Sequence, residues 1–245
     1  MCDTLDVIRG KDTLSTKELV RLNQPARRFL KRNQKTGDAL IREFKSQLDD
    51  SRYSSVPSKY NKYTYHYTRD KGSVYGRYTV SANCGDSRVI LDCESLSKGH
   101  KMWDVKETEI SNSEEYMAFT VDTNGDGLCK LYLKEYFDDM LTEIKSPAAM
   151  WPENVAAYHD YRNAKDVAFS SDSRTLYYVT CDESNREDKV WMYDIHTRKS
   201  VCMFEERDEI YSVYLSLTDD REYPIIVSRS KSTADSFIVM PDHTL

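Results

Sequence analysis

Two patterns of apolar positions divide the chain. Across residues 15–50, Leu19, Val20 and Leu22 are followed by Phe29 and Leu30, then by Leu40, Ile41, Phe44 and Leu48, at three- and four-residue steps. That spacing gathers the apolar side chains on one face of a helix. Pro25 and Gly37 are expected to break it into pieces, because proline has no amide to give and glycine loses most entropy on folding. Beyond Ser54 short aromatic and β-branched runs take over, at residues 63–67, 74–80, 89–91, 116–121, 128–133, 176–180 and 190–193. Such runs read as strands. Turn formers separate them, among them Lys71-Gly72-Ser73, Asn124-Gly125-Asp126-Gly127 and Ser170-Ser171-Asp172.

The strand region repeats itself. Residues 105–135 laid on residues 164–194 keep a constant offset of 59, that of Lys130 to Lys189. Ile110-Ser111 then falls on Phe169-Ser170, Met117-Ala118-Phe119 on Leu176-Tyr177-Tyr178, and Leu131-Tyr132-Leu133 on Val190-Trp191-Met192. Each unit holds three strands, with a fourth expected near residues 141–144 or 200–204. A four-stranded antiparallel unit that must stack on its neighbours is a propeller blade. The excess length, residues 146–163, is read as an inter-blade loop. Two similar hairpin pairs in an ordinary sandwich would show the same periodicity and stay open as the alternative.

Composition narrows the function classes. The chain has 245 residues, enough for a sizeable core, and its 39% hydrophobic content includes 18 Tyr, whose rings restore bulk that Leu and Ile do not supply. A net charge of −6 speaks against nucleic-acid binding, which needs clustered Lys and Arg. The charge is uneven: residues 1–50 carry 11 Lys+Arg against 8 Asp+Glu, and the remainder 24 against 33. Six cysteines, at 2, 84, 93, 129, 181 and 202, form no C-x-x-C pair, so scattered reduced thiols are expected. With neither a leader pattern nor 18 consecutive apolar residues, a cytoplasmic chain without membrane contact is expected.

Several stretches, in order, resemble the N-terminal half of the prolyl oligopeptidase family of serine peptidases, in its oligopeptidase B branch. Phe29-Leu30-Lys31-Arg32-Asn33 followed by Thr36 is similar to the family's "YL-x-x-EN-x-x-T" segment. Ser54-Ser55-Val56-Pro57 leads into residues 63–69 and 74–78, similar to its "SVP...YYYTR...G..YPIYCRR" hairpin. Val89-Ile90-Leu91-Asp92 with Gly99-His100 resembles "LLD-x-N...GH", with Glu94 at the Asn position. Residues 110–126 resemble "VSPDG..LAYS.DT.GDE", residues 169–178 "W..D.RTLFY", and Phe204-Glu205-Glu206-Arg207-Asp208 with Tyr211 "VYEE.D..FY". The likeness covers nearly all of the chain after residue 28. It implies a mainly β fold: an incomplete propeller of about three four-stranded antiparallel blades over residues 58–245, preceded by a helical arm over residues 1–57. In complete enzymes of the family such an arm embraces the hydrolase domain, and the propeller caps the active site and admits only short peptides. Two departures matter. Ser111-Asn112-Ser113-Glu114 stands where "SPDG" is usual, and Leu245 falls after roughly three blades' worth of sequence, before any catalytic domain.

The chemistry of a peptidase is absent from these residues. An α/β-hydrolase sets its Ser in G-x-S-x-G, and none of the glycines at 10, 37, 72, 76, 85, 99, 125 and 127 begins one. No catalytic, cofactor-binding or metal residue is therefore assigned. His159-Asp160 lacks a paired nucleophile, and His100 is read as structural. Residues 122–127, D-x-N-x-D-G, open like a calcium loop, but the ninth and twelfth positions are Lys130 and Leu133 where oxygen ligands are needed. The expected function is a non-catalytic propeller module, a pseudoenzyme or interaction module. Its partner would be another protein or a second copy, met through open propeller edges. The alternative is the N-terminal half of an active serine-type endopeptidase whose hydrolase domain comes from another chain or from missing residues.

Overall fold

The computed structural model describes residues 13–47, 51–82, 87–136, 140–144, 164–182 and 184–245. The expected loop at 146–163 and His159-Asp160 lie outside them. The chain divides into two compact units, Met1–Ser51 and Arg52–Leu245.

The first unit holds two helices, α1 (Thr13–Arg32) and α2 (Gln34–Gln47). The helical reading stands, but the break does not fall at Pro25 or Gly37, both of which lie inside helices. It falls at Asn33. Its amide side chain donates to the Phe29 carbonyl at 2.9 Å and its N–H to Phe29 at 3.1 Å, while its own carbonyl accepts from Gly37 at 3.0 Å. Pro25 costs one helical hydrogen bond, which water replaces on so exposed a helix.

The second unit is built of antiparallel sheets in chain order, four among the described residues, as an incomplete propeller requires. The first comprises β1 (Tyr53–Ser54), β2 (Ser58–Lys59), β3 (Tyr63–Arg69), β4 (Arg77–Ala82) and β5 (Ser87–Asp92). Both β1 and β2 pair with β3, so the innermost strand is present in two short pieces, and the sheet begins ahead of residue 58. A short helix, α3 (Cys93–Leu96), follows, with Asp92 capping it by accepting from the Ser95 amide. The second sheet is β6 (Asp104–Ile110), β7 (Tyr116–Asp122), β8 (Cys129–Glu135) and β9 (Leu141–Ile144). The third is β10 (Val167–Phe169), β11 (Thr175–Cys181), β12 (Glu187–Asp194) and β13 (Lys199–Glu205), and the last is β14 (Ser212–Leu217), β15 (Pro224–Arg229) and β16 (Ala234–Ile238).

The 59-residue repeat is real in space. Phe119 pairs with Tyr132 across β7 and β8, and Tyr178 with Trp191 across β11 and β12, each number raised by 59. Both ring pairs stack at 17°, with centroids 5.4 and 6.5 Å apart. The two units are separate sheets, and three cores lie between the four sheets, where a sandwich would have one. Strand alternation explains how one strand serves two cores. On β7, Met117, Phe119 and Val121 face the first sheet while Ala118 faces the third; on β11, Leu176 and Tyr178 face the second sheet while Tyr177 and Val179 face the last.

Toward the two ends of the sheet series Tyr65, Ile226 and Val239 are buried, Tyr65 in the core between the first two sheets and the other two in the core between the last two. Ile238 and Met240, on and just past edge strand β16, stay exposed at 50% and 44%.

Equivalent placement predicts equivalent cost. Phe119→Ala and Tyr178→Ala should each lower unfolding free energy by about 3–5 kcal/mol, as aromatic truncations in a packed core do. Urea denaturation checks this, and a loss under about 1 kcal/mol at either position would show that ring pair to be outside a packed inter-sheet core.

Candidate functional site at the inner turns

The first strands of the last three sheets, β6, β10 and β14, lie side by side. They line a cavity of about 310 Å³ with Glu107, Glu109, Asp166, Leu215, Thr218 and Arg221 at its walls. Each of these strands ends in the same six-residue turn, built three times. In residues 111–116 the Ser111 amide donates to the Tyr116 carbonyl, the Glu114 amide to the Ser111 carbonyl, and the Tyr116 amide to Ser111 Oγ. Residues 170–175 and 218–223 repeat all three bonds, with Ser170 and Thr218 at the hydroxyl position. The fourth residue is left-handed each time: φ is 58° at Glu114, 61° at Ser173 and 61° at Arg221. Glycine would adopt that conformation freely, so a side chain there carries a steric cost of about 1–2 kcal/mol.

Those side chains tie sheet to sheet. The Glu114 carboxylate is buried and accepts from the Lys62 amide at 2.6 Å, the Tyr63 amide at 3.2 Å and the Tyr65 hydroxyl at 3.2 Å, all in the first sheet's turn and second strand. Ser173 Oγ accepts from the Ser113 amide at 2.8 Å. Arg221 donates to the Glu109 carboxylate and, at 2.6 Å, to the Ile110 carbonyl, and its guanidinium lies 4.9 Å over the Tyr60 ring. The Asn112 amide completes the network by donating to the Ser171 and Arg221 carbonyls.

The cavity walls are acidic, and burial pushes the carboxyls of Glu109 and Asp166 above the ordinary carboxylate range. Arg221 opposes that rise at Glu109. At Asp166 the Leu215 amide, donating at 2.9 Å, opposes it.

Candidate nucleophiles are disarmed by their surroundings. Ser54 Oγ lies 2.7 Å from His66 Nε2, which resembles a nucleophile and its base. The same Nε2 lies 2.8 Å from the Ser55 carbonyl. A carbonyl only accepts, so Nε2 carries the proton and cannot take one from Ser54. Burial raises the thiols of Cys93 and Cys181 to about 12, which keeps both protonated at neutral pH. Cys129 is buried as well, and Cys202 is half-buried.

The calcium-like loop closes on itself. Asp122 accepts from the amides of Asn124, Gly125 and Gly127 at 2.7–2.9 Å, so backbone N–H groups occupy the oxygens a cation would need. Among the described residues no group of three or more His, Cys, Asp or Glu side chains is placed to hold a metal. His100, exposed, rests against Trp103 with centroids 5.1 Å apart. His243 Nδ1 pairs with the Tyr177 hydroxyl at 2.7 Å, while His196 lies in a separate polar groove with Arg174 and Arg198.

Residues 11–244 match the model of the prolyl oligopeptidase N-terminal beta-propeller domain. The chain belongs to that family. Its relatives include Protease 2 of Moraxella lacunata, 19% identical over 199 residues that make up 78% of this chain and 27% of that protein. Oligopeptidase B from Leishmania major superposes with a TM-score of 0.71 at 22% identity, over 94% of this chain and 33% of that one. Oligopeptidase B from Trypanosoma brucei, in a closed form with covalently bound antipain, gives 0.72 at 21%, over 96% and 32%. The chain thus spans about a quarter to a third of these relatives' length, and the structural likeness establishes the fold. No described helix is long and apolar enough to cross a membrane.

The raised carboxyl at Asp166 has a sign that can be worked out. A carboxylate whose folded pKa lies above its unfolded value contributes stability at low pH and loses it as pH rises through the folded value. Asp166→Asn keeps an acceptor for the Leu215 amide and removes the charge. The variant should unfold at a higher temperature than the parent at about pH 7, and the gap should close at about pH 4. Calorimetry at the two pH values checks it; a variant less stable at about pH 7 would contradict it.

Proposed function

We propose that this propeller acts by contact and shape, as a non-catalytic interaction module of the oligopeptidase B type, with no covalent chemistry of its own. The observation that carries the reading is the position of His66 Nε2, 2.8 Å from the Ser55 carbonyl, an acceptor that takes the N–H and leaves the one Ser–His pair found among the described residues without a base. Buried, protonated cysteines and the absence of G-x-S-x-G from the sequence support it. The partner in this reading is a protein or a second copy, and the exposed end of β16 with Ile238 is one unpaired strand edge available to it.

A second reading is favoured by coverage. Because the chain spans only about a quarter to a third of the matched relatives, the propeller would cap a hydrolase domain supplied by another chain or by residues outside this sequence. The cap would then limit the substrate to short peptides.

One preparation tests both readings. The purified chain should take no covalent label from a fluorophosphonate, and light scattering at micromolar concentration should give a mass above 28.6 kDa. Labelling at a single Ser would end the non-catalytic reading, and a sharp monomer peak unchanged on dilution would end the self-associating one. Retention of a separately purified family hydrolase domain, with peptide cleavage only in the mixture, is the result the second reading requires.

A further inference from the structure

We propose that Arg221 is an ionic latch that closes the turn end of the inner cavity and locks the last sheet to the first two, so that its release frees β14, β15 and β16 to move as a unit. The last sheet has two kinds of attachment. Toward the third sheet it buries Val213, Leu215, Ile226 and Val239 against Ala168, Tyr177, Val179 and Val190, an apolar interface that salt does not weaken. Toward the first and second sheets, which are not its neighbours in chain order, its side-chain contacts centre on Arg221 and its turn.

The latch is built from several directions at once. The guanidinium reaches the Glu109 carboxylate and the Ile110 carbonyl on β6, Asn112 Oδ1 at 3.4 Å in the next turn, and the face of Tyr60 at 4.9 Å in the first sheet's turn. Asn112 Nδ2 donates back to the Arg221 carbonyl at 3.1 Å. Arg221 carries the steric cost of a left-handed backbone, and it is the fourth-position side chain that reaches both the first and the second sheet. Among the described residues lining the cavity, Arg221 is the one cation, facing Glu107, Glu109 and Asp166.

These contacts make the latch closed by default and sensitive to ions. Withdrawing Arg221 leaves Glu109 partly buried without its counter-charge, which favours the closed state. Yet the Arg221 and Glu109 side chains keep 28% and 18% of their exposure, so the pair is within reach of screening ions. An open latch would present the three carboxylates at the turn end of the cavity.

Amide hydrogen exchange on the full chain tests this. In Arg221→Ala, amides of β14 and β15 should exchange about tenfold faster, while those of β7 and β8, in the second sheet, keep the parent rate. Raising salt to about 0.5 M should produce the same local speed-up in the parent and add little in the variant. Should Arg221→Ala fail to fold, Glu109→Gln and the salt series on the unsubstituted parent give the same readout. Unchanged exchange in β14 and β15, or an equal speed-up in all four sheets, would overturn the latch, the second outcome leaving Arg221 as a contributor to global stability alone.

Discussion

The structure depends on a residue in left-handed conformation that is not glycine, placed at the fourth position of each inner turn. Glu114, Ser173 and Arg221 each accept a steric cost of about 1–2 kcal/mol that glycine would avoid. What each offsets it with is a side chain that reaches another sheet: a carboxylate for three donors of the first sheet, a hydroxyl for the Ser113 amide, a guanidinium for the second sheet and Tyr60. The apolar faces of the sheets supply most of the burial, but burial alone does not specify how sheets are spaced around an axis. The turn contacts are directional, and they fix that spacing at the end where the strands converge.

That same arrangement leaves an acidic cavity beside β6, β10 and β14. The carboxyls of Glu109 and Asp166 sit in surroundings that favour their neutral forms, opposed by one guanidinium and one backbone amide. The Ser54–His66 pair lies away from them on β1 and β3 of the first sheet, its Nε2 within hydrogen-bond distance of the Ser55 carbonyl, and the thiols of Cys93 and Cys181 are buried.

Much of this was legible in the chain. The offset of 59 located two sheets to within a residue or two, since β7 and β11, and β8 and β12, coincide under it. Met117, Phe119 and Val121, every second residue of the 116–121 run, share the face packed on the first sheet. The third copy of the turn, at 218–223, escaped because it follows the second by 48 residues rather than 59, and because Thr218 replaces the serine that opens the first two copies. The innermost strand of the first sheet escaped because β1 and β2 are two residues each, with Pro57 between them. Pro25 misled for the opposite reason: an exposed helix tolerates a missing hydrogen bond that a buried one would not. The Ser54–His66 contact could not be read at all, since it joins residues 12 apart through strand register.

The claim that turn side chains hold the sheets is tested most directly at amides that have no backbone partner. Lys62 N–H and Ser113 N–H donate to Glu114 Oε1 and Ser173 Oγ, side chains of neighbouring sheets. Residue-resolved hydrogen exchange by NMR should find both amides protected in the parent chain, with Glu114→Ala releasing Lys62 while Ser113 stays slow. Exchange at both sites in the parent at the rate of an unstructured peptide would contradict the account.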